Sequence, residues 1–255
     1  MKIPTFKFYS DINIYNLGDV HRGDDACNVA LFRKVVNTIA EDDIGWWIST
    51  GDLLNVALKT SVSDSSKSKP LGKEFDLLIE ELQPIKKRCL GIVDSNHHRR
   101  FDRAVGMSLD AVISSHVDLQ IPYLGKIGVL NVVCDSAAYY IVLHHGVGFG
   151  RKRGSKANNL EELGDIIPSA DVYMEGHTHS YDYFINEVPY IDKKRQLLNY
   201  HKAHFATTGH FLNWEDSYAQ DFKLRPKPQG VAMVTLSANT VGRSAMKSVK
   251  CVLVS

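Results

Sequence analysis

Trp46-Trp47-Ile48-Ser49-Thr50-Gly51-Asp52-Leu53-Leu54-Asn55 holds the pattern that organises this chain: a short apolar run, a glycine, then a carboxylate. The bulky residues at 46–48 read as a buried strand, and the glycine permits a sharp exit that presents Asp52 on a loop. The same order recurs on both sides. Alternating apolar residues at 6–17 lead into Gly18-Asp19-Val20-His21, and residues 90–93 lead into Ser95-Asn96-His97. Further on, residues 139–143 deliver His144-His145-Gly146, and Val172-Tyr173-Met174 precedes Gly176-His177-Thr178-His179. Five polar clusters, each after a strand signal, supply enough Asp, Asn and His side chains for two metal ions.

Helical signals alternate with these strands. Residues 28–40 place Val29, Phe32, Val35, Val36 and Ile39 on one face, with Asp24, Asp25 or Asn28 available as a cap. Phe75, Leu78, Ile79 and Leu82 mark a second amphipathic helix that Pro84 ends or kinks. Residues 101–117 and 159–167 read as further helices, and the Ser- and Lys-dense stretch 59–72 reads as a solvated loop. Residues 129–133 pair with 139–143. Beyond about residue 180 the pattern is strand and turn, clearest at 231–236 and 250–254. The expectation is one α/β domain over residues 1–255, with a β-rich C-terminal part and its polar loops on one sheet edge.

Composition narrows the function classes. With 30 Lys and Arg against 29 Asp and Glu, the 255 residues carry a net charge of +1, so any attraction for phosphate must be local. Cys27, Cys89, Cys134 and Cys251 are too far apart for a disulfide framework or a zinc knot and read as buried thiols in a reducing compartment. Residues 1–9 lack the apolar segment of a signal peptide, and no run approaches the roughly 20 apolar residues of a membrane span. These features suggest a cytoplasmic protein with no membrane partner.

The cluster chemistry suits divalent metals. Asp19 and His21, two apart at a strand end, are expected to share a face and one ion, and His177 and His179 have the same spacing. Asp52 suits a bridging carboxylate, and Asn96 offers a neutral oxygen where another charge would over-neutralise the site. Nitrogen and oxygen donors without thiolate favour manganese, iron or zinc. Alone, each cluster has a plainer reading: a surface turn for Asp-x-His, or a helix start with a solvated basic patch for Asn96-His97-His98-Arg99-Arg100.

Taken in order, Asp19-x-His21, Gly51-Asp52-x-x-Asn55, Asn96-His97, His144 and Gly176-His177-x-His179 resemble the motifs of the calcineurin-like metallophosphoesterase superfamily. The likeness spans Leu17 to His179, roughly two thirds of the chain. It implies a four-layer α/β/β/α sandwich of two mixed β-sheets flanked by helices, with two divalent ions, manganese first and zinc or iron as alternatives. Carried over, one ion would be held by Asp19, His21, Asp52 and His179, and the other by Asp52, Asn96, His144 and His177. Of the adjacent His144 and His145, the residue that directly ends the strand matches better. His97 matches a catalytic histidine that protonates the leaving oxygen. Two departures stand out: Ser95-Asn96-His97-His98 replaces Gly-Asn-His-Asp/Glu, and Asn55 stands where many relatives carry Asp. Asn55 can still orient His97 through its amide oxygen, without stabilising its positive charge as a carboxylate would, so acid catalysis is expected to be weakened.

The implied activity is hydrolysis of phosphate esters, with a phosphodiester of a nucleotide or nucleic acid as first choice. Phosphomonoesters, cyclic nucleotides and phosphoproteins are the alternatives, as is a non-catalytic scaffold of the same fold. The basic, glycine-rich segment Gly148-Phe149-Gly150-Arg151-Lys152-Arg153-Gly154-Ser155-Lys156 follows the His144 strand directly. Together with Arg99, its Arg151 and Arg153 are the candidate phosphate-gripping residues. The remaining histidines, His116, His201, His204 and His210, read as structural, with His210, next to Thr208-Gly209, the likeliest exception. The β-rich tail, with Trp214 and Tyr218, either covers the active edge or makes a subunit contact.

Overall fold

Alternation of apolar residues builds the strands, and the computed structural model describes residues 2–56, 69–148, 150, 152–215, 217–241 and 244–255. In chain order the first half comprises β1 (Thr5–Phe8), β2 (Ile12–Asn16), α1 (Val29–Glu41), β3 (Gly45–Ser49), α2 (Leu71–Leu82), β4 (Cys89–Ile92), α3 (Asn96–Val105) and α4 (Leu109–Ser115). The second half comprises β5 (Ile127–Cys134), β6 (Ala137–His144), α5 (Arg153–Ile166), β7 (Val172–Glu175), β8 (Asp182–Asp192), β9 (Leu197–Thr207), α6 (Tyr218–Asp221), β10 (Val231–Val241) and β11 (Ser244–Val254).

The strands form two mixed sheets, ordered β1-β5-β6-β7-β9-β8 and β11-β10-β2-β3-β4. In the second, β2, β3 and β4 run parallel, so all three C-terminal ends reach the same edge. In the first, β6, β7 and β9 are parallel and do the same. Between the sheets lies an apolar layer in which Ile12, Ile14, Ile48 and Leu90 meet Leu130, Tyr139, Ile141 and Met174. Outside the second sheet, α1 and α2 bury Phe32, Val35, Ile39, Leu78 and Leu82 against Tyr15 and Trp47. Outside the first, α5 places Leu160 and Leu163 against Tyr173 and Phe205. The result is the expected α/β/β/α layering. Each such side chain contributes roughly 1.5–3 kcal/mol by leaving water, which seats the loops on a rigid base.

Several expectations are corrected. Residues 6–17 are two strands in different sheets, because β1 pairs with β5 whereas β2 pairs with β3 and β10. The helix at 101–117 starts earlier, at Asn96, and is interrupted. Gly106, at φ +77°, ends α3 in the left-handed region, and the Ser108 hydroxyl then caps α4 by accepting from Ala111 N at 3.2 Å. Helix α5 begins at Arg153, ahead of the helix expected at 159–167, so the basic segment is partly helical. Of the loop expected at 59–72, residues 59–68 lie outside the described residues and Leu71-Gly72 opens α2. The tail joins both sheets: β8 and β9 extend the first, and β10 and β11 extend the second. Among the described residues no helix is long and apolar enough to cross a membrane.

Candidate metal centre

The loops that leave β2 and β3 lie side by side, held by backbone bonds from Asp19 N to Gly51 O (3.1 Å), His21 N to Asp52 O (2.9 Å) and Asn55 N to Arg22 O (2.8 Å). The two sheets are joined at this edge by the buried Asn16. Its amide oxygen accepts from Thr50 N (3.2 Å) and Thr50 Oγ1 (2.9 Å), while its backbone oxygen accepts from Thr208 Oγ1 (2.8 Å). Gly176 N donates to His145 O (3.1 Å), and Phe211 N to Asp19 O (3.2 Å). Two glycines make this closeness possible. A Cβ on Gly51, at φ +98°, would lie 2.6 Å from Ser95 Cβ, and one on Gly176 would lie 2.8 Å from Thr50 Oγ1.

Backbone conformation sets the direction of the donors. Asp19 (φ 51°), His21 (51°), Asp52 (54°), His177 (64°) and His179 (47°) all occupy the left-handed region. They are half of the ten non-glycine residues with positive φ among those described. A residue with a Cβ pays roughly 1–2 kcal/mol there, and such strain concentrates at functional sites. Asp19 and His21 do converge, as their spacing suggested, but not as strand neighbours: the loop reaches convergence through alternating left-handed residues. Between them, the fully buried Val20 anchors the loop in the core.

Three groups of donors result, each with its ligand atoms within 4.8 Å of one another: Asp19, His21 and His179; His21, Asp52 and His97; and Asp52, His145 and His177. His21 Nε2 lies 2.9 Å from His179 Nε2. Asp52 Oδ2 lies 3.3 Å from His145 Nε2 and 3.8 Å from both His21 Nε2 and His97 Nε2. Donors bound to one ion at about 2.0–2.2 Å sit about 3–3.5 Å apart in octahedral or tetrahedral geometry, so the spacings fit shared ions. Among the described residues, Asp19 Oδ2, Asp52 Oδ2 and His145 Nε2 are buried with no hydrogen-bond partner. Native proteins rarely leave such atoms unsatisfied unless an ion belongs there.

Tautomers point the same way. His145 Nδ1 lies 2.7 Å from Thr50 O, an acceptor, so this nitrogen carries the hydrogen and Nε2 turns its lone pair toward Asp52. A lone pair facing a carboxylate calls for a cation between them. With a proton in that place, burial opposes charge on His145, but Asp52 outweighs it and raises the imidazole to about 9. Burial likewise pushes Asp19 up to about 7, with Asp52 adding to the rise and His145 opposing it. His21 and His177 are driven down to about 3 and about 4, mainly by burial. Neutral His21 and His177 beside two buried carboxylates form a site where His145 is the imidazole favoured as a cation, in the place a divalent ion fits.

Sequence reasoning chose His144, and the structure puts His145 in its place. Strand β6 continues through His144, whose ring turns to the buried Glu175 (Nδ1 to Oε1, 3.2 Å), and alternation along the chain sends the next side chain to the site. Asn96 opens α3 beside Asp52, because the N–H of the following His97 bonds Asp52 Oδ1 at 3.2 Å. The Asn55 amide nitrogen bonds Asp24 Oδ2 at 3.2 Å. Arg153 pairs with Asp182 (Nε to Oδ2, 2.7 Å), which occupies the guanidinium expected to grip phosphate. Arg99 sits half-buried on α3 with its Nε enclosed, and Arg151 lies outside the described residues.

Four residues beside the donors, His98, Asp110, Lys156 and Lys227, have no role in the sequence reading. His98 is fully buried between Asp110 Oδ1 (2.7 Å) and Leu54 O (3.2 Å), where Asp110 overcomes the effect of burial and raises its pKa. Asp110 also accepts from Ser95 N at 3.0 Å, so this pair fixes the start of α3 that carries Asn96 and His97. Lys156 and Lys227 both donate to Thr178 O, at 2.7 and 2.9 Å, between His177 and His179. Lys156 falls in the basic segment singled out from sequence, but its helical setting, not its neighbours' charge, brings it to the site. His210 stacks on His179 with ring centroids 5.4 Å apart.

Two solved structures are similar over nearly the whole chain. Vacuolar protein sorting 29 from Cryptosporidium parvum is 17% identical, with 96% of this chain and 99% of that one covered at a TM-score of 0.46. A conserved uncharacterized protein from Streptococcus pneumoniae TIGR4, described as a predicted phosphoesterase, is 11% identical, with 94% and 99% covered at a TM-score of 0.38. No protein-family model and no curated protein matches the sequence. In the order of its polar loops and in its two mixed sheets with flanking helices, the chain resembles the calcineurin-like metallophosphoesterases.

Proposed function

We propose that this protein is a binuclear metal-dependent hydrolase of phosphate esters, acting on phosphodiesters. The observation that carries the reading is Asp52, whose buried Oδ2 lies within 3.3–3.8 Å of three imidazole nitrogens and belongs to two donor groups at once. Asp19, His21 and His179 would hold one ion, His145 and His177 with Asn96 would hold the second, and Asp52 would be shared between the two groups. Manganese is the first candidate, with zinc or iron as alternatives, because the donors are nitrogen and oxygen only. When bound, such a pair acidifies water and offsets charge on phosphoryl oxygens.

The chain's own residues supply the rest. His97 is a quarter exposed at its side chain, at the open face of the cluster, and donates a proton to the leaving oxygen. Asn55 orients the His97 ring through its amide oxygen. Lys227 and Lys156, anchored on Thr178 O, bring positive charge beside His179, although burial and then Lys227 lower Lys156 to about 7. The test is turnover of bis-p-nitrophenyl phosphate by protein reconstituted with manganese, zinc, iron or cobalt. Metal-dependent hydrolysis that disappears in Asp52→Asn is the expected result. Protein that holds metal yet turns over neither this diester nor p-nitrophenyl phosphate would sink the hydrolase reading and leave a scaffold.

A further inference from the structure

Strands β8 and β9 form a hairpin that outgrows its sheet. β9 pairs with β7 only from His204 to Thr207, so among the described residues 197–203 pair with β8 alone. One face of the hairpin is covered by α5. There Phe184, Val188, Ala203 and Phe205 pack with Leu160 and Leu163, and Asn186 Nδ2 donates to Glu161 Oε1 at 2.7 Å. Directly paired residues share a face, so the opposite face carries the rows Ile185–His204, Glu187–Lys202, Pro189–Tyr200 and Ile191–Leu198. Apolar side chains lie open on it: Ile185 is 47% exposed, Ile191 69%, Leu198 60% and Tyr200 62%. Residues of this size leave on the order of 500 Å² uncovered, as large as the apolar patches that mark interaction sites.

We propose that this face is a self-association surface, covered by the same face of a second copy of the chain. The charge pattern selects both the occupant and its orientation. Glu187 and Lys202 are exposed and opposite each other within the apolar rows, and among the described residues neither takes part in an ion pair. A twofold axis running along the strands, between β8 and β9, lays each row on itself with its two members exchanged. Ile191 then meets Leu198 of the second copy, Pro189 meets its Tyr200, and Glu187 meets its Lys202. A twofold axis across the strands would set Glu187 on Glu187. A lipid surface would bury Glu187 with no counter-charge, which costs free energy. Addition of a strand at the sheet edge is disfavoured too, because β8 is the outermost strand and holds Pro189. Two such faces together cover on the order of 1,000 Å², enough for a specific interface. The basic turn of Lys193, Lys194 and Arg195 lies past the last row. Arg195 is paired there with Asp192 (Nε to Oδ2, 3.9 Å), and salt screens the other exposed charges.

Sedimentation velocity and light scattering of the full chain, from micromolar to millimolar concentration, test this. Wild type should form a dimer as concentration rises. Leu198→Asp should raise the dissociation constant about tenfold or more, as loss of an interface anchor does. Glu187→Lys and Lys202→Glu should each weaken the dimer in the same direction by setting like charges face to face. The double variant Glu187→Lys with Lys202→Glu exchanges the charges and should restore wild-type dimerisation, a rescue that mere loss of folding would not give. All three side chains are exposed, so Tm should stay near wild type in every variant. Wild type that remains monomeric at millimolar concentration overturns the proposal. So does a dimer that Leu198→Asp and both single charge reversals leave intact. Flotation with phosphatidylserine vesicles examines the competing occupant: vesicle binding lost in Leu198→Asp, by a chain that stays monomeric in solution, would give the face to lipid and overturn the second copy.

Discussion

Replacing His145 by alanine, and separately His144, distinguishes the structure from the family pattern at a single residue step. His145 is fully buried, donates from Nδ1 to Thr50 O at 2.7 Å, and brings Nε2 within 3.3 Å of Asp52 Oδ2. On the proposed ligand set, its loss would remove one donor from the second ion. Loss of a group that merely orients a ligand lowers metal affinity 10–100-fold, so loss of the ligand itself should lower it at least 100-fold, about 2.7 kcal/mol. Without metal, the variant strands the buried Asp52 beside fewer cations, a penalty on the order of 3–5 kcal/mol. His144 is a sixth exposed at its side chain and bonds Glu175, whose carboxyl burial already shifts upward. Glu175 can take up a proton when that partner goes, so His144→Ala should cost only about 1–3 kcal/mol and change metal affinity less than tenfold. The assay is a calorimetric titration with manganese or zinc in a competing chelator, with bound metal measured after dialysis. Metal lost in His144→Ala and kept in His145→Ala would refute the assignment.

Three further outcomes follow from the geometry. His97→Ala should lower turnover roughly 10²–10⁴-fold, the range for one general acid, while bound metal measured by elemental analysis stays near wild type; metal loss would make His97 a ligand. His98→Ala breaks a buried pair with Asp110 and should cost about 3–5 kcal/mol, read as a fall in Tm. Because folding raises the His98 pKa, its stabilising contribution is complete below the unfolded value of about 6.5. It is lost as pH rises through the folded value, so the Tm gap between wild type and His98→Ala should narrow at alkaline pH, and a gap that widens there contradicts the charged pair. Gly51→Ala and Gly106→Ala both force alanine to positive φ, at +98° and +77°, but only the first meets a neighbour, Ser95 Cβ at 2.6 Å. Gly106→Ala should cost about 1 kcal/mol, whereas Gly51→Ala should cost more and weaken metal binding; equal effects in thermal melts and titrations would show that loop contact at Gly51 is slack.

The convergence of these side chains was legible in the sequence because residue type is written in side-chain chemistry. Asp19, His21, Asp52, His177 and His179 announced themselves through residue type after apolar runs, and the folded chain gathers them. Backbone direction was not. Sequence spacing assumed strand alternation at 19–21, and the loop instead uses left-handed conformations that Asp and His tolerate better than most residues. The choice between His144 and His145 failed for a related reason: it turned on whether β6 ends before or after His144, and strand ends are fixed by pairing, here His144 with Ile127 and Glu175, which no local window contains. The break of the expected 101–117 helix was readable in principle, since Gly106 and Ser108 are a stop and a start two residues apart.

What no local signal reveals is the layer of support around the donors. Asn16 joins two sheets through Thr50 and Thr208, and its partners lie 34 and 192 residues away in sequence. His98 looked like the loss of a family carboxylate, yet Asp110 supplies one from the next helix, and the pair steadies the turn that carries His97. A carboxylate has therefore moved to a neighbouring position and not vanished. That relocation leaves the sequence argument for feeble acid catalysis in place, because Asp110 acts on His98 and on Ser95 N, and the proposal leaves Asn55 to orient His97. The two effects separate experimentally. Asn55→Asp should move the alkaline limb of the pH–rate profile to higher pH by placing a carboxylate near His97, with little change in Tm. Asp110→Asn should instead lower Tm, as a buried imidazolium loses its counter-charge, and shift the profile little. If Asn55→Asp leaves the alkaline limb where it was, Asn55 does not face His97 and the orienting role proposed for it is wrong.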